Sequence, residues 1–241
     1  MHWSEEGIVL AVRRHGETSA IVEVLTREHG RSLGLVRGGR SRALRPVLQP
    51  GNSVMVTWRA RLEEHLGLLT AELTSPRAAK LMDDAFRLAG LATVTGLALL
   101  LPEREPHTRL YDATVLLLER LEEDAIWPAL LARWELGLLD ELGFGLDLGR
   151  CAATGSNQAL AYVSPKSGRA VSFDAGEPYR ERLLRLPPFL TEAGSSPSRS
   201  DVADGLKLTG YFLERHILDP RGLAAPGARD TVLERLARDN S

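Results

Sequence analysis

Lysine is nearly missing from this 241-residue chain: Lys80, Lys166 and Lys207 are all there is, so the positive charge is almost entirely arginine. A GC-rich coding sequence produces that bias unaided. Arginine in place of lysine is therefore not read as a sign of phosphate binding, although its fork suits phosphates well. Cysteine occurs once, at Cys151, which excludes an internal disulfide and fits a reducing compartment. The longest uncharged apolar run, Leu88 to Leu101, falls short of the roughly 20 residues that cross a bilayer and reads as a buried helix. The opening "MHWSEEGIVL" has no basic stretch ahead of a long apolar one, so no secretion signal is expected and a cytoplasmic location is. Aromatic residues make up 5% of the chain, too few for extensive base stacking. Catalytic motifs are missing too. There is no G-x-x-x-x-G-K-[ST] phosphate loop, no G-x-S-x-G elbow and no H-E-x-x-H pair, and the six histidines are scattered. A binding protein rather than an enzyme is expected, with no cofactor.

What is present is unevenly placed. The formal net charge is -2, yet from Arg31 to Arg61 there are seven arginines and no acid: Arg31, Arg37, Arg40, Arg42, Arg45, Arg59 and Arg61. The remainder must be net acidic. Such asymmetry points to one positive face, the kind of field that attracts phosphates, or to a merely solvated loop. The densest part, "VRGGRSRALRP" (36–46), reads as a mobile loop. Gly38 and Gly39 permit φ > 0 and close approach to a backbone, or simply make a hairpin turn.

The chain has two halves with different periods. Up to Pro76, short runs rich in Val, Ile, Leu and Thr are separated by turn residues: 7–13, 19–26, 31–37, 53–58 and 66–73. Val54, Val56 and Trp58 share one face, which favours Trp58 as a core residue over a base-stacking one. Five strands in about 75 residues suit a small barrel, an OB-fold or, in competition, an SH3-like barrel. Residues 1–76 are thus expected as a five-stranded OB-fold nucleic-acid-binding domain, and 77–241 as a helical domain. Helices are predicted over 81–101, 110–121, along the Trp127, Leu131, Trp134, Leu138, Leu142 stripe, and from Ser200 or Asp201 to Pro220. Asp83 and Asp84 read as a helix start.

Between the helices, residues 150–178 form an irregular insertion. Cys151, Thr154, Ser172 and Ala175 stand in a C-x2-C…C-x2-C frame with three of four thiols replaced. The insertion therefore reads as a degenerate zinc ribbon without metal, because zinc takes four N, S or O ligands and hydroxyls do not ionise near neutral pH. A small hairpin around Pro165 to Gly168 is the plain alternative.

Taken in order, these pieces resemble the RecO family of bacterial recombination mediators. "GIVLAVRRHGETSAIVEVLTREHGR" is similar to the family's opening, "GLVRGGRSR" followed by "LQPGN" to its barrel loop, and "ELGLLDELGFGLDLGRCAATG" to the helix leading into its zinc-like insertion. The match extends to about Leu218 and departs from the family at the missing thiols. The resemblance implies a non-enzymatic, nucleoid-associated protein of DNA damage repair and recombination. It would bind single- and double-stranded DNA, anneal complementary strands and help load RecA onto DNA coated by single-strand-binding protein. The implied partners are RecR, that protein's acidic C-terminal tail, and RecF and RecA less directly. For the tail, Arg133 beside Leu138 and Leu142 is the expected receptor. The alternative reading is an OB-type factor for RNA or the ribosome.

Overall fold

The computed structural model describes residues 1–62, 65–192 and 194–238 and is a mixed α and β structure. By packing, the chain divides into two compact units, Met1–Glu122 and Glu123–Ser241.

The first unit begins with five strands: β1 His2–His15, β2 Ser19–Thr26, β3 Gly30–Val36, β4 Ser53–Arg59 and β5 Gly67–Ser75. Their hydrogen-bonded order is β1-β2-β3-β5-β4, and β4 returns to β1 to close the ring. β1 is longer than its alternating stretch because it serves two neighbours. Its first half pairs with β4, from His2↔Arg59 to Ile8↔Ser53, and its second half with β2, out to His15↔Ser19. A bulge between Val9 and Ala11 lets Ile8, Val9 and Leu10 be buried in succession, which strict alternation would forbid. Val9, Val22, Val24, Val54, Val56, Trp58 and Leu69 fill the interior. Each aliphatic side chain buried there contributes roughly 1.5–3 kcal/mol. The Trp58 indole donates to the Leu33 carbonyl at 2.9 Å and is 3% exposed, so it is a core residue.

The ring closes on two glycines. β3 and β5 run parallel and meet only at Gly34↔Gly67 and Leu35↔Leu68. A Cβ on Gly67 would lie 2.1 Å from the Trp58 ring, and one on Gly34 2.5 Å from the Leu69 Cβ. Any side chain would wedge the seam open.

Helices α1 Arg77–Lys80, α2 Ala85–Ala98 and α3 Thr108–Glu119 complete this unit. The period changes at Pro76, but packing keeps these helices with the strands. Asp84 is the N-cap of α2 and accepts from the Phe86 and Arg87 amides, the role read from the acid pair. Arg27, after β2, forks onto Asp112 of α3 at 2.9 and 3.1 Å. The Tyr111 hydroxyl donates to the Glu6 carbonyl at 3.2 Å, and burial and then the charge of Glu6 push its pKa up to about 12.

The second unit contains α4 Trp127–Glu141, α5 Phe173–Gly176, α6 Arg199–Leu213, α7 Asp219–Arg221 and α8 Gly227–Arg238. The stripe on α4 is core as its spacing implies: Trp127, Leu131 and Leu138 are fully buried and Trp134 nearly so. α6 starts earlier than predicted because Ser198 and Asp201 form a capping box. Pro220 does not end the helical stretch: one π-helical turn, Glu214–Leu218, precedes it, and α7 continues to Arg221. The widened turn removes the need for the hydrogen bond that Pro220 cannot give.

At the centre of this unit Glu135, 0% exposed, accepts two hydrogen bonds from Arg229 at 2.8 and 2.9 Å and one from Thr209. Arg229 also donates to the Leu206 carbonyl. Burial pushes the Arg229 guanidinium down in pKa, and Glu135 more than restores it.

The insertion is a hairpin, β6 Leu160–Val163 with β7 Ala170–Ser172, to which β8 Leu184–Arg185 adds. The zinc-frame positions do meet. The Cys151 sulfur lies 3.3 Å from the Ser172 hydroxyl and accepts from the Ser172 amide at 3.2 Å, and Ala175 packs on the same cluster. Burial pushes the thiol up in pKa, but hydrogen bonds from Ser172 and Thr154 outweigh it and bring it to about 6. One sulfur, two hydroxyls and a methyl group do not make a tetrahedral donor set. Among the described residues no cluster of three or more His, Cys, Asp or Glu exists. The expected ribbon is not what forms: the insertion is a hairpin held by packing and hydrogen bonds.

Replacing Glu135 by Ala leaves Arg229 charged and buried without its partner. It is expected to lower unfolding free energy by about 3–5 kcal/mol, whereas Glu135→Leu combined with Arg229→Met should recover most of the loss. Denaturant titration of the three proteins measures both, and a single-variant loss below about 1 kcal/mol would contradict the burial of this pair. Protein purified without added metal is expected to carry no stoichiometric zinc by elemental analysis, and one zinc per chain would overturn the ligand count.

Candidate nucleic-acid interface

Strand register brings arginines from distant parts of the sequence onto an arc beside β3, running from Arg14 near the end of β1 to Arg59 opposite its start. Leu35 of β3 is level with Leu68 of β5, which is level with Arg59 at the end of β4. Val36 is level with Ala20 of β2, which is level with Arg14 of β1. Arg37 follows Val36 directly. With strands about 4.8 Å apart, Arg37 sits roughly 10 Å from both Arg14 and Arg59, on the arc between them. Arg61 follows β4 into the next connection. Arg14, Arg37, Arg42, Arg45, Arg59 and Arg61 are all exposed, and among the described residues none is paired with an acid.

The arginine-rich stretch is folded onto the barrel in place of the open loop expected. Residues 37–48 wind into short helical turns, with Arg45 N–H to Ser41 O at 3.1 Å and Leu48 N–H to Leu44 O at 2.9 Å. Leu44, Val47 and Leu48 pack on the barrel core, and Leu48 is 3% exposed. Those three stand at i, i+3 and i+4, a helical apolar pattern hidden among the charges. The Asn52 side chain donates to the Pro46 and Val47 carbonyls at 2.8 and 3.1 Å. Gly38 does adopt φ +66°, as its flexibility allows, while Gly39 does not leave negative φ.

Two of the seven arginines are committed to holding the structure. Arg31 turns inward, 15% exposed, with Nη1 2.5 Å from Glu23 and Nε donating to the Leu101 carbonyl at 2.7 Å. Glu23 is buried and also takes Arg13 at 2.6 Å. Arg31 is thus the counter-ion of a buried carboxylate, not a group presented to a ligand. Arg40 latches the segment to the β1–β2 turn, donating to the Gly16 and Glu17 carbonyls at 3.1 and 2.5 Å. Charge counting missed both because it does not show which acid a guanidinium faces. It also missed Arg14, which lies outside the acid-free window but next to the rim in register.

In the second unit the expected receptor for an acidic tail is not assembled. Arg133 and Leu138, five residues apart, are about 140° apart around the helix. Leu138 is sealed in the core at 0% exposed, and Leu142 is half-buried. The Arg133 guanidinium donates to the Phe189 carbonyl and, at 2.9 Å, to the Glu192 carbonyl, tying α4 to the turn at Pro188–Leu190.

An exposed arc of arginines on the barrel, without acidic partners among the described residues, is suited to a polyanion of regular spacing. Nothing in it supplies a nucleophile or a metal cluster. Comparison with known proteins gives this geometry its context. Residues 1–77 match the family model described as recombination protein O N terminal, and residues 82–223 the one described as recombination protein O C terminal. The DNA repair protein RecO of Methylobacterium nodulans is 56% identical over 235 residues, covering 95% of this chain and 96% of its own length. That of Rhodopseudomonas palustris strain TIE-1 is 54% identical over 242 residues, covering 99% and 97%. That of Mesorhizobium japonicum is 53% identical over 242 residues, covering 100% and 96%. With both halves matched in order and relatives this similar across nearly the whole length, the chain belongs to the RecO family.

Proposed function

We propose that this protein acts in recombinational DNA repair as a non-enzymatic DNA-binding mediator whose barrel rim holds the sugar-phosphate backbone. The observation that carries the reading is the placement of the unpaired arginines. In an OB-fold, oligonucleotides lie across strands 2 and 3 and against the loops that join strands 1 to 2 and 4 to 5. Here β1 lies between β2 and β4, β3 runs parallel to β5, Arg14 flanks the first of those loops, and Arg61 lies in the second.

Annealing of complementary strands follows from the same feature. Neutralising two phosphate rails lowers their mutual repulsion while most base edges stay open for pairing. The relatives are named DNA repair proteins, which favours DNA over RNA as the substrate. Loading of RecA onto strands coated by single-strand-binding protein, with RecR and RecF as partners, is the wider role proposed. The surface that receives the acidic tail is not the Arg133, Leu138, Leu142 set.

The segment carrying Arg37, Arg42 and Arg45 is packed on the core by Leu44, Val47 and Leu48, so removing the three charges should leave the fold intact. The triple Ala variant is expected to lower the slope of log affinity against log salt by about 2 on single strands. An unchanged slope would remove this segment from the interface. On DNA precoated with single-strand-binding protein, the wild type should accelerate annealing of complementary oligonucleotides and the triple variant should not. Equal rates with and without the wild-type protein would refute the mediator role.

A further inference from the structure

Aromatic residues are few, but the fold stacks three of them. The Trp3 and His29 rings lie parallel, with centroids 4.2 Å apart and planes 10° from coplanar. Trp3 stacks in turn on the core residue Trp58, 5.8 Å away at 13°. Trp3, His29 and Trp58 line a cavity of about 540 Å³ together with Glu28, Arg104 and Pro106. That volume is within the ~300–1,000 Å³ typical of small-ligand sites.

The cavity has a constructed wall. The connection after α2 crosses the start of β3, where Arg104 N–H donates to the Arg31 carbonyl at 2.8 Å. Only glycine permits this at residue 30: a Cβ there would lie 2.0 Å from the Glu105 carbonyl oxygen, and Gly30 has φ +60°. Arg104 itself is left-handed at φ +63° without being glycine, a conformation that costs on the order of 1–2 kcal/mol and gathers at ligand clamps. His29 is held in orientation from behind. Its Nδ1 lies 2.9 Å from Glu5 Oε2, while Glu5 Oε1 accepts from the Glu28 amide at 2.9 Å. The His29 side chain is 39% exposed, so it is accessible from the cavity's open side.

The position matters as much as the shape. In the β1–β4 register Trp3 is opposite Trp58 and His2 is opposite Arg59. The cavity therefore lies within one residue step of Arg59, one end of the arginine arc. The wall offers both a guanidinium, Arg104, and a carboxylate, Glu28. A flat ring would extend the stack, and a carboxylate accepts readily from an exocyclic amino group.

We propose that this cavity receives one unpaired nucleobase of a DNA strand whose backbone lies on the arginine rim, stacked against the His29–Trp3 pair. The inference rests on the rim's reading as a backbone site. It adds a single stacked base per chain as an anchor on a strand otherwise held by charge, leaving the neighbouring bases free to pair.

The test compares a short oligo(dC) with an abasic strand of the same length and phosphate count, by fluorescence anisotropy at one salt concentration. The wild type is expected to bind oligo(dC) about 5- to 150-fold more tightly, the effect of roughly 1–3 kcal/mol per stacked base. His29→Ala and Trp3→Ala are expected to bring that ratio towards one while leaving affinity for the abasic strand unchanged. Trp3 is half-buried, so the His29 variant and the wild-type ratio decide the matter if the Trp3 variant is unstable. A wild-type ratio near one, or a ratio kept by the His29 variant, overturns the proposal. If both strands bind equally and the arginine variants weaken both, the pocket alone falls. If neither strand binds, the rim reading falls with it.

Discussion

The double pairing of β1 is the constraint on which the rest of the first unit depends. One strand hydrogen-bonds to β4 with its first half and to β2 with its second, and the bulge between Val9 and Ala11 turns it from one to the other. That turn lets five strands close into a ring. Closure in turn brings residues 14 and 59, which lie at opposite ends of β1, to either side of residue 37, although they are far apart in sequence. The seam opposite is narrow, two residue pairs between β3 and β5, and holds because Gly34 and Gly67 leave room for Leu69 and Trp58. A side chain at either glycine would open the ring and scatter the charges.

Positioning is the second theme. A guanidinium on a floating loop must lose backbone freedom, at about 1–2 kcal/mol per residue, before it can hold a phosphate. Here Leu44, Val47 and Leu48 are already packed, and Arg40 and Asn52 clasp the segment at both ends. The ordering therefore belongs to folding, not to binding. The sorting of arginines follows the acids. Buried Glu23 requires counter-ions and takes Arg13 and Arg31, while the arginines beyond its reach stay exposed.

Much of the architecture was legible in the sequence because it rests on local chemistry. Period-2 runs between turn residues gave the five strands, the acid pair gave the cap of α2, and the Trp127 to Leu142 stripe gave the buried face of α4. What escaped depends on long-range pairing. The destinations of Arg31 and Arg40 are set by partners across the sheet, at Glu23 and in the β1–β2 turn. The Trp3–His29–Trp58 stack joins three residues from separate strands and turns, so low aromatic content concealed it. Arg133 and Leu138 are five residues apart on one helix, and helical geometry puts them on different faces. The spacing around Cys151 suggested a degenerate zinc ribbon, and the structure there is a hairpin with Cys151 packed and hydrogen-bonded to Ser172.

In the second unit, stability and surface are separate matters. The Glu135–Arg229 pair sits beneath α6, wholly inside, so it fixes how these helices pack without presenting anything to a partner. The barrel rim has the opposite character, with fixed backbone and unneutralised side chains. Ultraviolet cross-linking of the full chain to a single-stranded oligonucleotide, read by mass spectrometry, tests the central claim most directly. Cross-linked peptides should contain the β1–β2 turn, residues 37–48 and the end of β4. Cross-links confined to the second unit, with those three segments unmodified, would contradict the account.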